Sequence, residues 1–217
     1  PRRHRRPSGA GDRGVGTFRA RVADVWVRRA AIRPVPLYAR LPGYVLSEIE
    51  NELVDDEELA RERLDGAFTR FEQTQPALAA RVAETLSRPL EETALALGYF
   101  LTLAIWLAFE RNFEGRLQEV TPDELEAAEQ SIELDEELRR LDPAEALDTD
   151  DVIAMEQPDA IAFVQEHLDT ALGAHGGLVD VDDVDVIYRI VLLEILALSY
   201  AVRPPEHYAL PKTEYTA

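Results

Sequence analysis

Gln75-Pro76-Ala77-Leu78-Ala79-Ala80-Arg81-Val82-Ala83-Glu84-Thr85-Leu86 lies on Gln157-Pro158-Asp159-Ala160-Ile161-Ala162-Phe163-Val164-Gln165-Glu166-His167-Leu168 with Gln, Pro, Ala, Val, Glu and Leu in step. In the first copy Pro76 suits the opening turn of a helix, where a missing N–H costs nothing. Leu78, Val82 and Leu86 then recur at helical spacing. Each copy is followed by a long apolar stretch. Ser87 is expected to cap the first of these and Pro89 to open it, with Glu91 and Glu92 in its first turn. The run Ala94–Phe109 is apolar all round, so every face of it is expected to be covered. The second stretch runs from about Val181 to Val202 and ends at Arg203-Pro204-Pro205. Aligning Tyr99 with Tyr188 leaves the extra residues of the second unit in Gly173–Val179, read as an inserted loop.

Working outward, residues 1–16 hold Pro, Gly and Arg without apolar period and read as a disordered basic arm. Thr17–Ile32 is a candidate short helix carrying Phe18, Val22 and Val25 on one side, broken by Arg33-Pro34-Val35-Pro36. Leu46, Ile49 and Leu53 predict a helix from about Tyr44, and Leu59, Leu64, Phe68 and Phe71 a further one. Thr121-Pro122-Asp123-Glu124 is a capping box. The acidic helix behind it, to about Leu141, has an apolar stripe of Leu125, Ile132, Leu134 and Leu138. Short helical turns are expected over 143–155. The fold class is therefore all-α: a helical bundle built around an internal duplication of a helix pair. The domain spans 17–203 with repeat units at about 72–113 and 154–202, and 204–217 form a C-terminal tail.

Composition narrows the chemistry. There is no cysteine, hence no disulfide and no thiolate metal site or nucleophile. Lys212 is the sole lysine, which argues against Schiff-base or P-loop lysine chemistry. The net charge of −19, from 23 basic and 42 acidic side chains, is split along the chain. Residues 1–33 carry ten Arg against two Asp, a balance of +8; the 13 basic and 40 acidic groups of the remainder give −27. So acidic a body repels phosphate backbones and disfavours nucleic acid. The arm reads as a solvating tail or an extended gene start, and it lacks the apolar segment of a secretory signal. The expected location is cytoplasmic.

Candidate sites are few. Ala94–Phe109 falls short of a membrane span, and its counterpart carries Arg189 and Glu194, so a soluble core helix is favoured. Asp180-Val181-Asp182-Asp183-Val184-Asp185 lacks the Gly and Glu of a calcium loop and reads as helix capping. His4, His167, His175 and His207 lack the Glu three residues earlier that di-iron bundles use, and read as exposed. No metal, cofactor or catalytic residues are expected, and no nucleophile elbow or phosphate loop is present. Glu194 is the exception. It shares a face with Ile187, Ile190, Val191, Leu198 and Ala201, where a buried carboxyl would be desolvated and its pKa raised. The commoner outcome for such a Glu is an interface edge reaching water. Arg189, on another face, is expected to pair with Asp185.

These features point first to a non-enzymatic scaffold or adaptor binding a protein partner or a second copy. The acidic helix 122–140 would attract a basic partner, and Trp26, Trp106 and Tyr99 are candidate anchors, although Trp106 and Tyr99 are more often core at such spacing. The alternative is a ligand-binding protein or enzyme with a pocket between the two apolar helices near Glu194, faced by Tyr99 or Tyr188. A third is membrane association through 94–109.

Overall fold

The structure, a computed structural model, describes residues 32–54, 57–141, 156–174 and 180–208, with backbone alone at 54, 57–60, 138, 139, 141 and 174. The basic arm, most of the Thr17–Ile32 helix, the turns over 143–155, most of the Gly173–Val179 loop and the end of the tail lie outside them. A 3₁₀ turn at Leu37–Ala39 leads into α1 (Gly43–Val54), α2 (Glu57–Thr74), α3 (Pro76–Leu86), α4 (Glu92–Asn112), α5 (Pro122–Leu141), α6 (Pro158–Ala174) and α7 (Val181–Ala201). The fold is all-helical among the described residues.

α4 and α7 form the most extensive helix pair, as their apolar composition requires. They run parallel. At their N-terminal ends the Glu91 N–H donates to Asp183 Oδ2 at 2.9 Å. At their C-terminal ends Leu117 and Val202 form an antiparallel bridge, with Gln118 N–H on Ala201 O at 3.0 Å and Arg203 N–H on Arg116 O at 2.9 Å. α1, α2, α3 and α6 pack on α4; α3, α5 and α6 pack on α7.

Several ends are set by local chemistry. The Thr121 box closes in both directions, Thr121 N–H to Glu124 Oε2 at 2.8 Å and Glu124 N–H to Thr121 Oγ1 at 3.3 Å. Asp180 caps α7 through the Asp182 N–H at 3.1 Å. Ser87 does not cap α4: it ends α3, its hydroxyl on Glu84 O at 2.8 Å. The cap of α4 is Glu91, which accepts from the Thr93 N–H at 2.8 Å. The reason is that Ser87–Glu91 stays outside either helix, so the chain re-enters only at Glu92.

Gln75 and Gln157 have a use that their place before Pro does not reveal. Neither amide caps its own helix; both are buried and reach to the backbone of a distant segment. Gln157 accepts from the Leu41 N–H at 3.0 Å and donates to Ala39 O at 2.9 Å. It also donates to Ser199 Oγ at 2.7 Å. Gln75 accepts from the Val120 N–H at 2.8 Å and donates to Gln118 O at 3.0 Å. Each amide thus satisfies a segment just ahead of a helix, α1 in one case and α5 in the other, whose polar groups would otherwise be buried unpaired.

α5 meets α7 on Ala128, Ser131, Ile132 and Asp135, which are buried, whereas Leu125 and Leu134 of the expected stripe are half-buried. Small residues allow this approach. Ser131 Oγ lies 2.8 Å from Ala127 O and 3.3 Å from Tyr200 Oη, and Tyr200 donates to Arg33 O at 2.7 Å. In the other half, Glu52 of α1 and Arg111 of α4 make a two-pronged ion pair at 2.9 and 2.7 Å.

Candidate functional site

The α4–α7 seam begins with a notch. A Cβ on Gly98 would lie 2.6 Å from Ile187 Cδ1 and 3.0 Å from Leu86 Cδ2, so the absent side chain is what lets Ile187 seat against α4. In parallel helices, levels repeat every seven residues. One heptad beyond Gly98 and Ile187 come Ile105 and Glu194, both fully buried.

Glu194 is 0% exposed, a correction to the expectation that it sits at an interface edge. Among the described residues neither of its oxygens has a hydrogen-bond partner, nor does the buried Thr102 hydroxyl. Desolvation raises its pKa well above the ordinary carboxyl value; the nearby Thr102 side chain opposes this in smaller measure. Burial thus favours the neutral acid over the carboxylate, and among the described residues no ion pair to Glu194 compensates an ionised one. Arg189 is turned elsewhere. Its guanidinium pairs with Glu136 of α5 rather than with Asp185 one turn away, since α5 lies against that face of α7.

The other candidate residues are not gathered around Glu194. Trp106 is 1% exposed and packs on Phe71, ring centroids 5.5 Å apart, with the Arg70 guanidinium 5.4 Å from its ring centre. It is a core residue. Tyr188 is half-buried against the core. Tyr99 is 38% exposed, so α4 is not covered on every face as its composition led one to expect. The physical cause is that α7 and α1 occupy other faces of α4, and α2 covers this one only in part. Tyr99, Ala96, Phe100 and Leu103 of α4 and Leu64 and Phe68 of α2 line a groove of about 560 Å³, with Asp65 and Thr69 on its α2 wall. The Phe68 and Tyr99 rings meet edge-on at 6.0 Å.

Two further grooves are polar. One, between α1, α2 and α4, is lined by Glu52, Glu62, Arg63, Arg70 and Arg111 over Ile49, Leu53 and Leu107. The other, between α3, α5 and α7, contains Arg81, Arg88 and Arg189 facing Glu129 and Glu133. Glu194 lines none of the three grooves. His167, expected to be exposed, is mostly covered. Its ring lies 4.3 Å from that of Phe163 and 5.3 Å from that of Phe100, with Nδ1 2.9 Å from Phe163 O and Nε2 3.2 Å from Glu50 Oε1. The Nδ1 contact to a carbonyl fixes the proton on Nδ1 in the neutral ring.

α4, at 21 residues, is long and apolar enough to cross a membrane, and more than half of that apolar window is buried within the protein. Among the described residues no cluster of His, Asp or Glu has the arrangement of a metal site. Sequence reading missed Leu64, Phe68, Phe100 and Leu103 as one surface, because the groove joins two helices. The Gln75 and Gln157 clamps had a visible signal, the repeated Gln-Pro, but not a visible target. Comparison with known protein families, curated proteins and solved structures finds no match to this chain.

Proposed function

We propose that this protein is a non-enzymatic helical scaffold, built from two related units, that docks a basic amphipathic helix of a protein partner. The single observation behind the docking reading is the groove at Tyr99: apolar side chains from two helices line an open channel that the rest of the described chain does not fill. A channel between helices of this kind suits an incoming helix presenting anchors one turn apart. The occupant is taken to be basic because Asp65 stands on the wall and residues 34–217 carry a balance of −27.

The duplication reading draws support from matched contacts. Gln75, just before α3, clamps the segment before α5, and Gln157, just before α6, clamps the segment before α1. Glu129 of α5 pairs with Arg81 of α3 at 2.9 Å; Glu50 of α1 meets His167 of α6 at 3.2 Å. Glu52–Arg111 ties α1 to α4 where Ser131–Tyr200 ties α5 to α7. Taken together these relate α1, α3 and α4 to α5, α6 and α7 about an axis along the central pair, with α2 extra to the first unit. A unit of this kind leaves one face of its long helix open, and the second unit covers it.

A fluorescein-labelled helix of about 18 residues, alternating Leu and Lys faces, tests the docking reading by anisotropy. Saturable binding that weakens about tenfold with Tyr99→Asp, and with added salt, supports it. Equal binding by Tyr99→Asp, or none by the wild type, removes it. Membrane association is the weaker reading, because most of α4 is already engaged by other helices.

A further inference from the structure

The two long helices do not present interchangeable faces, and the difference is concentrated at two levels. At the first, Gly98 of α4 meets Ile187 of α7. At the second, Glu194 of α7 lies buried with the Thr102 side chain of α4 near its carboxyl, and the seven-residue repeat of a parallel pair assigns Ile105 to the same layer. Gly98 and Ile187 occupy the same place in the two units, as do Ile105 and Glu194. The consequences follow from substituting one helix for the other. Two copies of α7 in this register would set Ile187 against Ile187 and Glu194 against Glu194. The first contact overfills a space that now holds one side chain, and the second buries two carboxyls against each other without a cation. Two copies of α4 would set Gly98 against Gly98, leaving a hole where Ile187 now sits.

We infer that the α4–α7 seam is a pairing-selective surface: the Gly98 notch and the buried Glu194 carboxyl fit α7 to α4 and reject a second α7, so that the chain does not associate with another copy through this helix. Discrimination by an element that penalises the wrong pair, rather than one that strengthens the right pair, is a recognised route to specificity. A single buried polar group in a parallel helix seam is its best-attested form. The inference rests on the two-unit reading, which makes α7·α7 the natural competing pair. It is independent of the Tyr99 groove, which lies off the seam and is read by peptide binding.

Full-length Gly98→Ile, Ile187→Gly and the double variant test the notch by thermal unfolding. Each single change is expected to lower the melting temperature by about 5–10 °C. The double variant, which exchanges the two side chains and leaves helix propensity nearly unchanged, should recover more than half of the combined loss. Simple addition of the two losses overturns the notch. Should Gly98→Ile not fold, Gly98→Ala with Ile187→Val carries the same comparison on a smaller scale. Glu194→Ile tests the acid. Refolded from denaturant over a range of concentrations and sized by light scattering, it should show a dimer fraction about fivefold above wild type, rising with concentration. A Glu194→Ile chain as monomeric as wild type at every concentration overturns the role of Glu194.

Discussion

Gln75 and Gln157 perform one task on opposite halves of the molecule. Each lies just before a proline-led helix, is buried, and spends both ends of its amide on backbone groups of a segment far away in sequence. The two segments are those that start α5 and α1. The molecule is closed at these points by side chain to main chain bonds rather than by packing alone.

Replacing either glutamine by Leu strands one N–H and one C=O in the interior. Gln75→Leu and Gln157→Leu are each expected to cost about 2–4 kcal/mol, since a buried polar group left unpaired forfeits its full solvation. Gln157→Glu should also destabilise at neutral pH. A carboxylate still accepts from Leu41 but opposes Ala39 O and cannot donate to it. Urea unfolding of the three variants checks this.

Glu194→Gln should change stability in a pH-dependent way. The folded-state pKa is raised, so the folded chain keeps a proton that the unfolded chain releases above the ordinary value of 4.5. Stability is therefore not reduced by this group below that pH. It falls as pH rises, by about 1.4 kcal/mol per unit for one proton, until the folded group itself ionises. The Gln variant lacks this slope. Its advantage should be near zero in acid and should grow as pH rises above 4.5 until the folded acid ionises, which denaturant midpoints at several pH values will show.

Tyr99→Asp should be nearly silent in stability, within about 0.5–1 kcal/mol, because the ring is over a third exposed. Loss of helix docking in that variant, with an unchanged melting curve and circular dichroism spectrum, would separate binding from folding.

The Glu52–Arg111 pair offers a contrast. The guanidinium hydrogen bonds and charge of Arg111 hold the Glu52 pKa below its ordinary 4.5. A lowered acid stabilises above its unfolded pKa and loses that contribution as pH falls through the folded value. The side chains are 40% and 50% exposed, so solvent screens the pair. Glu52→Gln is accordingly expected to cost under about 1 kcal/mol at neutral pH, less in high salt, and nothing in strong acid.

Helix positions were legible wherever local chemistry fixes them. Pro76 and Pro158 open their helices, Thr121 and Glu124 close a capping box, and Asp180 caps α7. The pairing of the two largely apolar helices was legible too, because most of each must be covered. Errors arose where an outcome depended on a distant neighbour. Arg189 chose Glu136 over Asp185 because α5 stands beside it. His167 was covered by Phe100 and Phe163. Ser87 ended one helix rather than starting the next, since Asp183 holds the chain at Glu91.

The chain's own order of residues decided that it is helical, where most helices begin, and which two must lie at its centre. Periodicity and capping act within a few residues of each other, so they survive being read one segment at a time. The parallel sense of α4 and α7, the targets of Gln75 and Gln157, the full burial of Glu194 and the exposure of Tyr99 belong to the assembled molecule. Each depends on which surface of a remote segment arrives opposite a given side chain, and that is fixed only when all the helices pack together.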